Sequence, residues 1–498
     1  MEEAIQKLDA FFNPCSVAVV GATKKAGKAG HVIFKNFSTN KQRGIFKGEL
    51  YPVNPKEDSI LGFQCYANLS SIPGDVDLIV VIVPATVVPS VLEEAGKKNV
   101  KAAIIISSGF KEIGNRELED QVVAIAKKHG IRVLGPNCLG VFYAKTGVDS
   151  LFLPETKVLT TGDEVVATPR PMPGNIAMIT QSGAFGVAAL DYLTGRQIGV
   201  SKFISFGNKC DVSESDVLEY LLYDKETSVL LIYLEDVKSG RDFLRVAKQV
   251  TLKKPVIIIK SGKSESGARA AASHTGAIAG SDKIYDAAFR QAGVFRASDM
   301  EEFFDVGKSL AMQKPALGRN IGILTDAGGP GVMTVDELEI LGLTVEPFSE
   351  QTLKKFQELK DNNTILKIAA TNNPVDLTGS VTDEMFEISA ELMFQDPAID
   401  GIILLGLHHM PGLQEKYIFG IAKIAQKYDK PIVMCDIGET EMALYTRGRF
   451  DRLGIPSYSS PEDAARSMKA LVTYGAYLKK NKAYEEYIAE FDRRKAKQ

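Results

Sequence analysis

Three times along the chain the same local order recurs: an unbroken aliphatic run, a turn of glycine and other small residues, then a helical period. Val17-Ala18-Val19-Val20 runs into Gly21-Ala22-Thr23, Ile176-Ala177-Met178-Ile179 into Thr180-Gln181-Ser182-Gly183, and Ile321-Gly322-Ile323-Leu324 into Asp326-Ala327-Gly328-Gly329-Pro330-Gly331. Aliphatic runs without polar alternation suit strands buried on both faces. Helical stretches between such strands make parallel sheets covered on both sides. This pattern restricts the chain to an α/β architecture. Ligands then bind in crevices at the carboxyl ends of the strands. Each glycine turn also presents a helix N-terminus, with free N–H groups and about half a positive charge, so each is a candidate anion site.

The first third of the chain gathers such strand ends. Val53-Asn54-Pro55-Lys56 closes a second strand, Val83-Pro84 a third, Ser107-Ser108-Gly109 a fourth, and Gly135-Pro136-Asn137-Cys138 marks the end of the next. The Gly21 turn is not a Walker A loop, because its spacing is one residue too long and Ala29 stands where Ser or Thr is required. Lys56 occupies the place where a nicotinamide site wants an acid for the ribose hydroxyls. With Lys24, Lys25 and Lys28 near the first turn, it suits a ligand that carries extra phosphate. Nothing near Cys138 would activate a thiol, so it reads as a small buried residue.

In the middle third, the strand Ser228 to Leu234 ends in Glu235-Asp236. The next strand, Pro255 to Lys260, leads through a polar glycine loop to Ser273-His274-Thr275-Gly276-Ala277. A histidine among small neighbours can be approached closely, and neutral imidazole is a nucleophile at cellular pH. Glu235 at the end of an adjacent strand would fix its tautomer and stabilise the cation formed on phosphorylation. Residues 142–173, with Pro169, Pro171 and Pro173, read as a connection with room for a small hairpin. In the last third, His408-His409 follow the strand Gly401 to Leu407. Neighbours on a strand point to opposite faces, which argues against a metal pair. Two helices are expected from Pro461 to Gln498.

Composition narrows the function. Over 498 residues the net charge is −3, which offers no case for binding nucleic acid or a membrane surface. The five cysteines form no CxxC pair, against both a zinc site and a disulfide framework. The expected compartment is the cytoplasm.

On these residues the chain resembles the α subunits of nucleoside-diphosphate-forming acyl-CoA synthetases, in the succinyl-CoA synthetase superfamily. The resemblance rests on Val17 to Ala22, Pro52 to Lys56, Gly135 to Cys138, Thr180 to Ala184, Glu235 and Ser273 to Ala277. It implies a Rossmann-like CoA-binding domain (1–145), a flavodoxin-like domain with a phosphohistidine loop (146–312), a second flavodoxin-like domain (313–475) and a helical tail (476–498). Coenzyme A would lie over Gly21, Ala22, Thr23, Lys24, Lys28, Asn54, Pro55, Lys56, Val83, Pro84, Ser107, Ser108, Gly109 and Asn137. His274 would carry the phosphoryl group, steadied by Glu235, with phosphate cradled by Gln181, Ser182, Gly183, Gly328, Gly329 and Gly331. The reaction implied is acyl-CoA, phosphate and ADP to acid, CoA and ATP. No stretch resembles an ATP-grasp domain, so ADP/ATP and Mg²⁺ are expected on a separate β subunit, in an α2β2 assembly. The stretch from Val141 to Pro173 is longer than the resemblance implies. A CoA-binding sensor or acyltransferase scaffold without turnover is the rival reading. A nicotinamide oxidoreductase is disfavoured by Lys56.

Overall fold

A computed structural model describes residues 8–269 and 281–496. The chain forms two compact units, Met1–Arg296 and Ala297–Gln498. Every long aliphatic run of the sequence is a strand. In the first unit, β1 (Ser16–Val20), α1 (Ala29–Gln42), β2 (Glu49–Val53), β3 (Leu78–Val81), α2 (Val88–Lys97), β4 (Ala102–Ile105), α3 (Arg116–His129) and β5 (Arg132–Leu134) follow one another. They build a parallel sheet of order β2-β1-β3-β4-β5. Helix α1 begins two residues before the helical period read from His31, because Gly30 is packed against the Gly21 carbonyl and carries the helix back to that point.

The chain then passes directly into a second sheet. β6 (Gly140–Tyr143) and β7 (Val148–Asp149) form an antiparallel edge. A separate hairpin follows, β8 (Thr156–Val158) with β9 (Glu164–Val166), in the connection where one had room to form. β10 (Pro173–Thr180), α4 (Gly183–Gly195), β11 (Val200–Ser205), α5 (Glu214–Tyr223), β12 (Val229–Leu234), α6 (Gly240–Thr251), β13 (Val256–Lys260), α7 (Asp282–Ala292) and β14 (Phe295–Arg296) complete the unit. The sheet runs β14-β13-β12-β10-β11-β6-β7. Side-chain caps fix where its helices start: Ser182 for α4, Ser213 with Asp216 in a capping box for α5, and Ser239 for α6. One apolar core runs through both sheets, from Val17, Phe34 and Phe37 to Ile179, Leu230 and Ile232.

The second unit contains α8 (Met300–Met312), β15 (Ile321–Thr325), α9 (Gly328–Ile340), α10 (Glu350–Asp361), β16 (Val375–Asp376), α11 (Asp383–Gln395), β17 (Gly401–Leu405), α12 (Lys416–Ala425), β18 (Ile432–Cys435), α13 (Glu441–Arg452), β19 (Ser457–Tyr458), α14 (Pro461–Lys480) and α15 (Tyr484–Lys495). Its parallel sheet runs β16-β15-β17-β18-β19. The last two helices are those expected after Pro461. Helix α14 packs against α8 and α9, with Ala464, Met468 and Leu471 fully buried.

All three sheets share one order of parallel strands, in which the first strand lies between the second and the third. That order places a crevice between the first and third strands, at their carboxyl ends.

One reading is corrected here. β17 ends at Leu405, so His408 and His409 sit in the turn beyond it and not on a strand. Asp326 accepts the Leu407 N–H at 2.7 Å and Asp436 the His408 N–H at 3.3 Å, replacing strand partners. Without pleating, the two rings no longer alternate; their centroids stand 3.8 Å apart. Among the described residues no group of three or more His, Cys, Asp or Glu could hold a metal ion.

Candidate functional site

A cavity of about 650 Å³ opens in the first unit, where the carboxyl ends of its two sheets face each other. From the first sheet it is lined by Val83, Pro84, Ser107, Ser108 and Asn137, and from the second by Gln181, Ser182, Gly183 and Glu235. Residues singled out separately for CoA and for phosphate thus meet in one space.

The seam between the sheets is backbone packed on backbone. A Cβ on Gly207 would sit 2.3 Å from the Asn137 carbonyl oxygen and 2.4 Å from that of Pro136, so no other residue fits. Asn208 and Cys210 donate their N–H groups to Pro136 and Gly135. Asn137 and Lys209 both adopt left-handed backbone, at φ 56° each. Asn137 lines the cavity and Lys209 follows the lining residues Gly207 and Asn208, so the two mark locally strained backbone of the kind found at binding sites.

The first glycine turn closes against the end of β3. Gly21, at φ 97°, leaves no room for a side chain: an added Cβ would lie 2.1 Å from the Ile82 carbonyl oxygen. The Asn54 amide donates to the Ala22 carbonyl at 2.7 Å, tying the end of β2 to this turn. Its oxygen accepts the Lys56 N–H at 3.0 Å. The Thr23 carbonyl meets the His31 ring at 3.0 Å, and Lys24 pairs with Glu57 at 3.3 Å. Lys28, Pro55 and Lys56 are exposed beside them. Gly21 to Lys28 and Asn54 to Lys56 do not line the cavity wall itself. Ser107 Oγ donates to the Val83 carbonyl at 2.6 Å and accepts its N–H at 3.1 Å, holding β3 and β4 in register at the cavity. Gly109, at φ 114°, donates to Glu112. Burial would raise the Glu112 carboxyl, but the Gly109 and Phe110 N–H groups and the Asn208 amide hold it below the usual range. Cys138 is buried, which pushes its thiol up to about 12 and leaves it unreactive, as its surroundings in the sequence suggested.

On the opposite wall α4 points its N-terminus at the cavity. Ser182 caps the helix by accepting the Phe185 N–H at 3.3 Å. A Gly183 Cβ would meet nothing closer than Leu139 at 3.9 Å, and Gly183 and Ala184 both line the cavity, so the first turn of α4 offers an anion its N-terminus. Glu235 follows β12, the strand bonded to both β10 and β13. The Tyr233 hydroxyl donates to Glu235 Oε1 at 3.4 Å, and the Tyr233 ring stacks on Phe185 of α4 at 4.2 Å. Ser273 to Ala277, with His274, lie outside the described residues.

Sequence reasoning missed several contributors to this cavity, Gly207 and Asn208 among them. Lys111 and Asp236 line it, as do the apolar Leu139 and Phe152. Lys111 is the one cation among its described lining residues, and it donates to the Asn208 carbonyl. Asp236 is raised by burial, but Lys209 at 2.8 Å draws it below the usual carboxylate range. The phrase Gly207-Asn208-Lys209 after β11 was the available signal, since it ends a buried strand with a small-residue turn.

In the second unit, Gly328, Gly329 and Gly331 form the first turn of α9. A Cβ on Gly328 would come 3.0 Å from Asp376 Oδ2 and one on Gly331 3.1 Å from Thr325, whereas Gly329 is unobstructed. Beside this turn, Asp326 is buried with one oxygen unpartnered, and burial together with the charges of Asp436 and Asp376 pushes its carboxyl up to about 7. His408 Nδ1 meets Asp436 at 2.8 Å and its Nε2 meets Thr440 Oγ1 at 3.3 Å.

Three family profiles match the chain: a CoA-binding domain at residues 15–144, a succinyl-CoA ligase-like flavodoxin domain at 173–310, and a ligase-CoA domain at 321–472. Together with the sheets and the cavity, they define a CoA-dependent acid–thiol ligase. The acetate–CoA ligase [ADP-forming] I subunit alpha of Pyrococcus furiosus is 41% identical, over 95% of this chain and 99% of its own length. The acetate–CoA ligase [ADP-forming] I of Archaeoglobus fulgidus is 38% identical over 99% of this chain and 67% of its own, longer sequence. A solved acetyl-coenzyme A synthetase from Ca. Korarchaeum cryptofilum, in complex with phosphate and ADP, superposes with a TM-score of 0.85 at 35% identity, covering 95% of this chain and 98% of that one. The chain belongs to the family of ADP-forming acetate–CoA ligases, and it matches two α subunits over 93% and 95% of its own length.

Proposed function

We propose that the chain is the α subunit of an ADP-forming acyl-CoA synthetase that works on small acyl groups, acetate foremost, through an acyl phosphate and a phosphohistidine on His274. The observation that carries this reading is the joining, in one cavity, of the carboxyl ends of β3 and β4, the N-terminus of α4 and the Glu235 carboxylate. Coenzyme A would lie over Gly21, Asn54 and Lys56, with its thioester reaching past Ser107 toward Asn137. Orthophosphate, held on the Ser182 and Gly183 N–H groups, attacks the thioester carbonyl. The C–S bond breaks, the CoA thiolate leaves and takes up a proton, and an acyl phosphate remains. His274 then attacks phosphorus, the P–O bond to the acyl group breaks, and the carboxylate departs. Glu235 stabilises the phosphorylated ring against its gained charge. Positioning and charge neutralisation account for such a transfer. Gly328, Gly329 and Gly331 would serve as a second helix N-terminus for the travelling phosphoryl group.

ADP and Mg²⁺ would bind on a separate β subunit with ATP-grasp domains, in an α2β2 assembly in the cytoplasm. Support comes from the relatives of matching length, which are named α subunits, while the relative that this chain covers to 67% is named as a whole ligase. Among the described residues no helix is long and apolar enough to cross a membrane.

The test is to incubate the chain with acetyl-CoA and labelled orthophosphate. Acid-labile, base-stable label mapped to the His274 peptide, dependent on acetyl-CoA and lost in His274→Ala, is the expected result. No label with several acyl-CoAs, even with the β subunit present, would leave the CoA-sensor reading instead.

A further inference from the structure

Gln181 stands where the phosphate is expected, yet its side chain is already engaged. Oε1 accepts the N–H of Glu235 at 2.9 Å and of Asp236 at 3.2 Å, and Nε2 donates to Asp236 Oδ1. Its own N–H reaches the Tyr233 carbonyl at 3.1 Å. Both lone pairs of the amide oxygen are therefore used on one turn, and one Nε2 donor is tied to a carboxylate. The same Asp236 oxygen meets Lys209 at 2.8 Å, and that ammonium also bonds the Asp236 carbonyl at 2.8 Å and Glu214 at 3.2 Å. Lys209 is 3% exposed and Gln181 7%. The strut crosses the switch point of the second sheet, from the end of β10 to the end of β12.

We propose that Gln181 is a positioning residue that aims Glu235, and not a ligand of phosphate. The backbone of Glu235 is fixed by Gln181 and its carboxylate meets the Tyr233 hydroxyl, so its direction is set from two sides before any substrate arrives. Phosphate is left to the N–H groups of the first turn of α4, where Gly183 and Ala184 line the cavity. The inference rests on the reading of Glu235 as the partner of the phosphorylated imidazole. A misplacement of about 1 Å in such a group costs on the order of 100-fold in turnover.

A donor–acceptor exchange tests it in the complete α/β enzyme. In Gln181→Glu the two backbone N–H groups keep an acceptor, but a second carboxylate now faces Asp236. In the double variant Gln181→Glu/Asp236→Asn the donor and acceptor change places and the strut re-forms. We expect Gln181→Glu to lower kcat about 100-fold with little change in the KM for phosphate. The double variant should regain most of that loss, to the level of Asp236→Asn alone. Gln181→Met, which buries no charge, covers the case in which Gln181→Glu does not fold, and should also lower kcat and not raise the phosphate KM. A phosphate KM raised tenfold or more in any Gln181 variant, or no recovery in the double variant, overturns the proposal in favour of a phosphate ligand. Turnover unchanged in Gln181→Met overturns it as well. A wild-type enzyme that neither turns over nor labels His274 fails the reading of the site itself, and this inference falls with it.

Discussion

The Lys209 ammonium lies 2.8 Å from Asp236 and 3.2 Å from Glu214, with Lys209 and Glu214 buried and Asp236 partly open to the cavity. It neutralises one carboxylate on the cavity wall, Asp236, and one buried behind it, Glu214, and is itself in left-handed backbone. Removing one member of a buried ion pair strands the others, at a cost of about 3–5 kcal/mol. Lys209→Met is therefore expected to lower the stability of the first unit by about that amount, read from a denaturant titration of the whole chain. The Asp236 carboxyl sits below its ordinary value, so the stability it contributes is present above the unfolded value near 3.8 and lost as pH falls toward the folded one. The acid limb of the stability profile should be flatter in Lys209→Met than in wild type.

Gly21 has no space for a side chain, because its Cβ would fall 2.1 Å from the Ile82 carbonyl oxygen at a backbone angle that disfavours any L residue. Gly21→Ala is expected to push the first turn away from β3 and weaken CoA binding at least tenfold, measured by calorimetric titration with CoA. Gly329→Ala meets nothing within 4 Å and serves as the control, with CoA affinity unchanged.

Phe152 and Leu139 bring apolar surface to a cavity that Ser107, Ser108, Asn137 and Glu235 also border. An acyl chain has to end against such a surface. Trimming Phe152→Ala should admit longer acyl groups, each added methylene being worth about 1–3 kcal/mol where it is accommodated. The measurement is kcat/KM for acetyl-, butyryl- and hexanoyl-CoA. The ratio should move toward the longer substrates, while the KM for phosphate stays where it was.

The sheets were legible because their signals are local. Unbroken aliphatic runs such as Ile257-Ile258-Ile259 require strands covered on both faces, and glycine turns such as Gly21 and Ser182-Gly183 mark the ends that hold ligands. The partners of those ends were not legible, since the meeting of Asn137 with Gly207 depends on the carboxyl ends of two sheets coming together over a long separation in sequence. Gln181 shows the limit well. Its position at a strand end was readable, but its commitment to Glu235, 54 residues on, exists only once β10 and β12 lie side by side. Lys209 gave a weaker signal still, a lysine in a small-residue turn, and burial alone makes it central. His408 misled for a related reason: a strand reading extended two residues too far hides a turn that Asp326 and Asp436 hold in place.

Asp326 supplies the last prediction. Its carboxyl is buried with Oδ1 unpartnered, faces the charges of Asp436 and Asp376, and is raised from an ordinary 3.8 to about 7. Asp436, also buried, has an unpartnered oxygen and is likewise raised, by burial against the pull of His408 and Arg447. A raised acid binds its proton more tightly in the folded state. Its favourable contribution is thus full near pH 4 and declines as pH climbs to about 7, a loss on the order of a few kcal/mol. The second unit should accordingly be more stable at pH 5.5 than at pH 8. Asp326→Asn keeps the oxygen that accepts the Leu407 N–H and adds a neutral donor facing the Asp436 carboxylate. It is expected to raise the unfolding midpoint at pH 8 and to flatten the profile between pH 5 and 8. Thermal melts of wild type and variant across that range decide the matter: parallel profiles would show that Asp326 is ionised in the folded protein throughout, and that another group accounts for any slope.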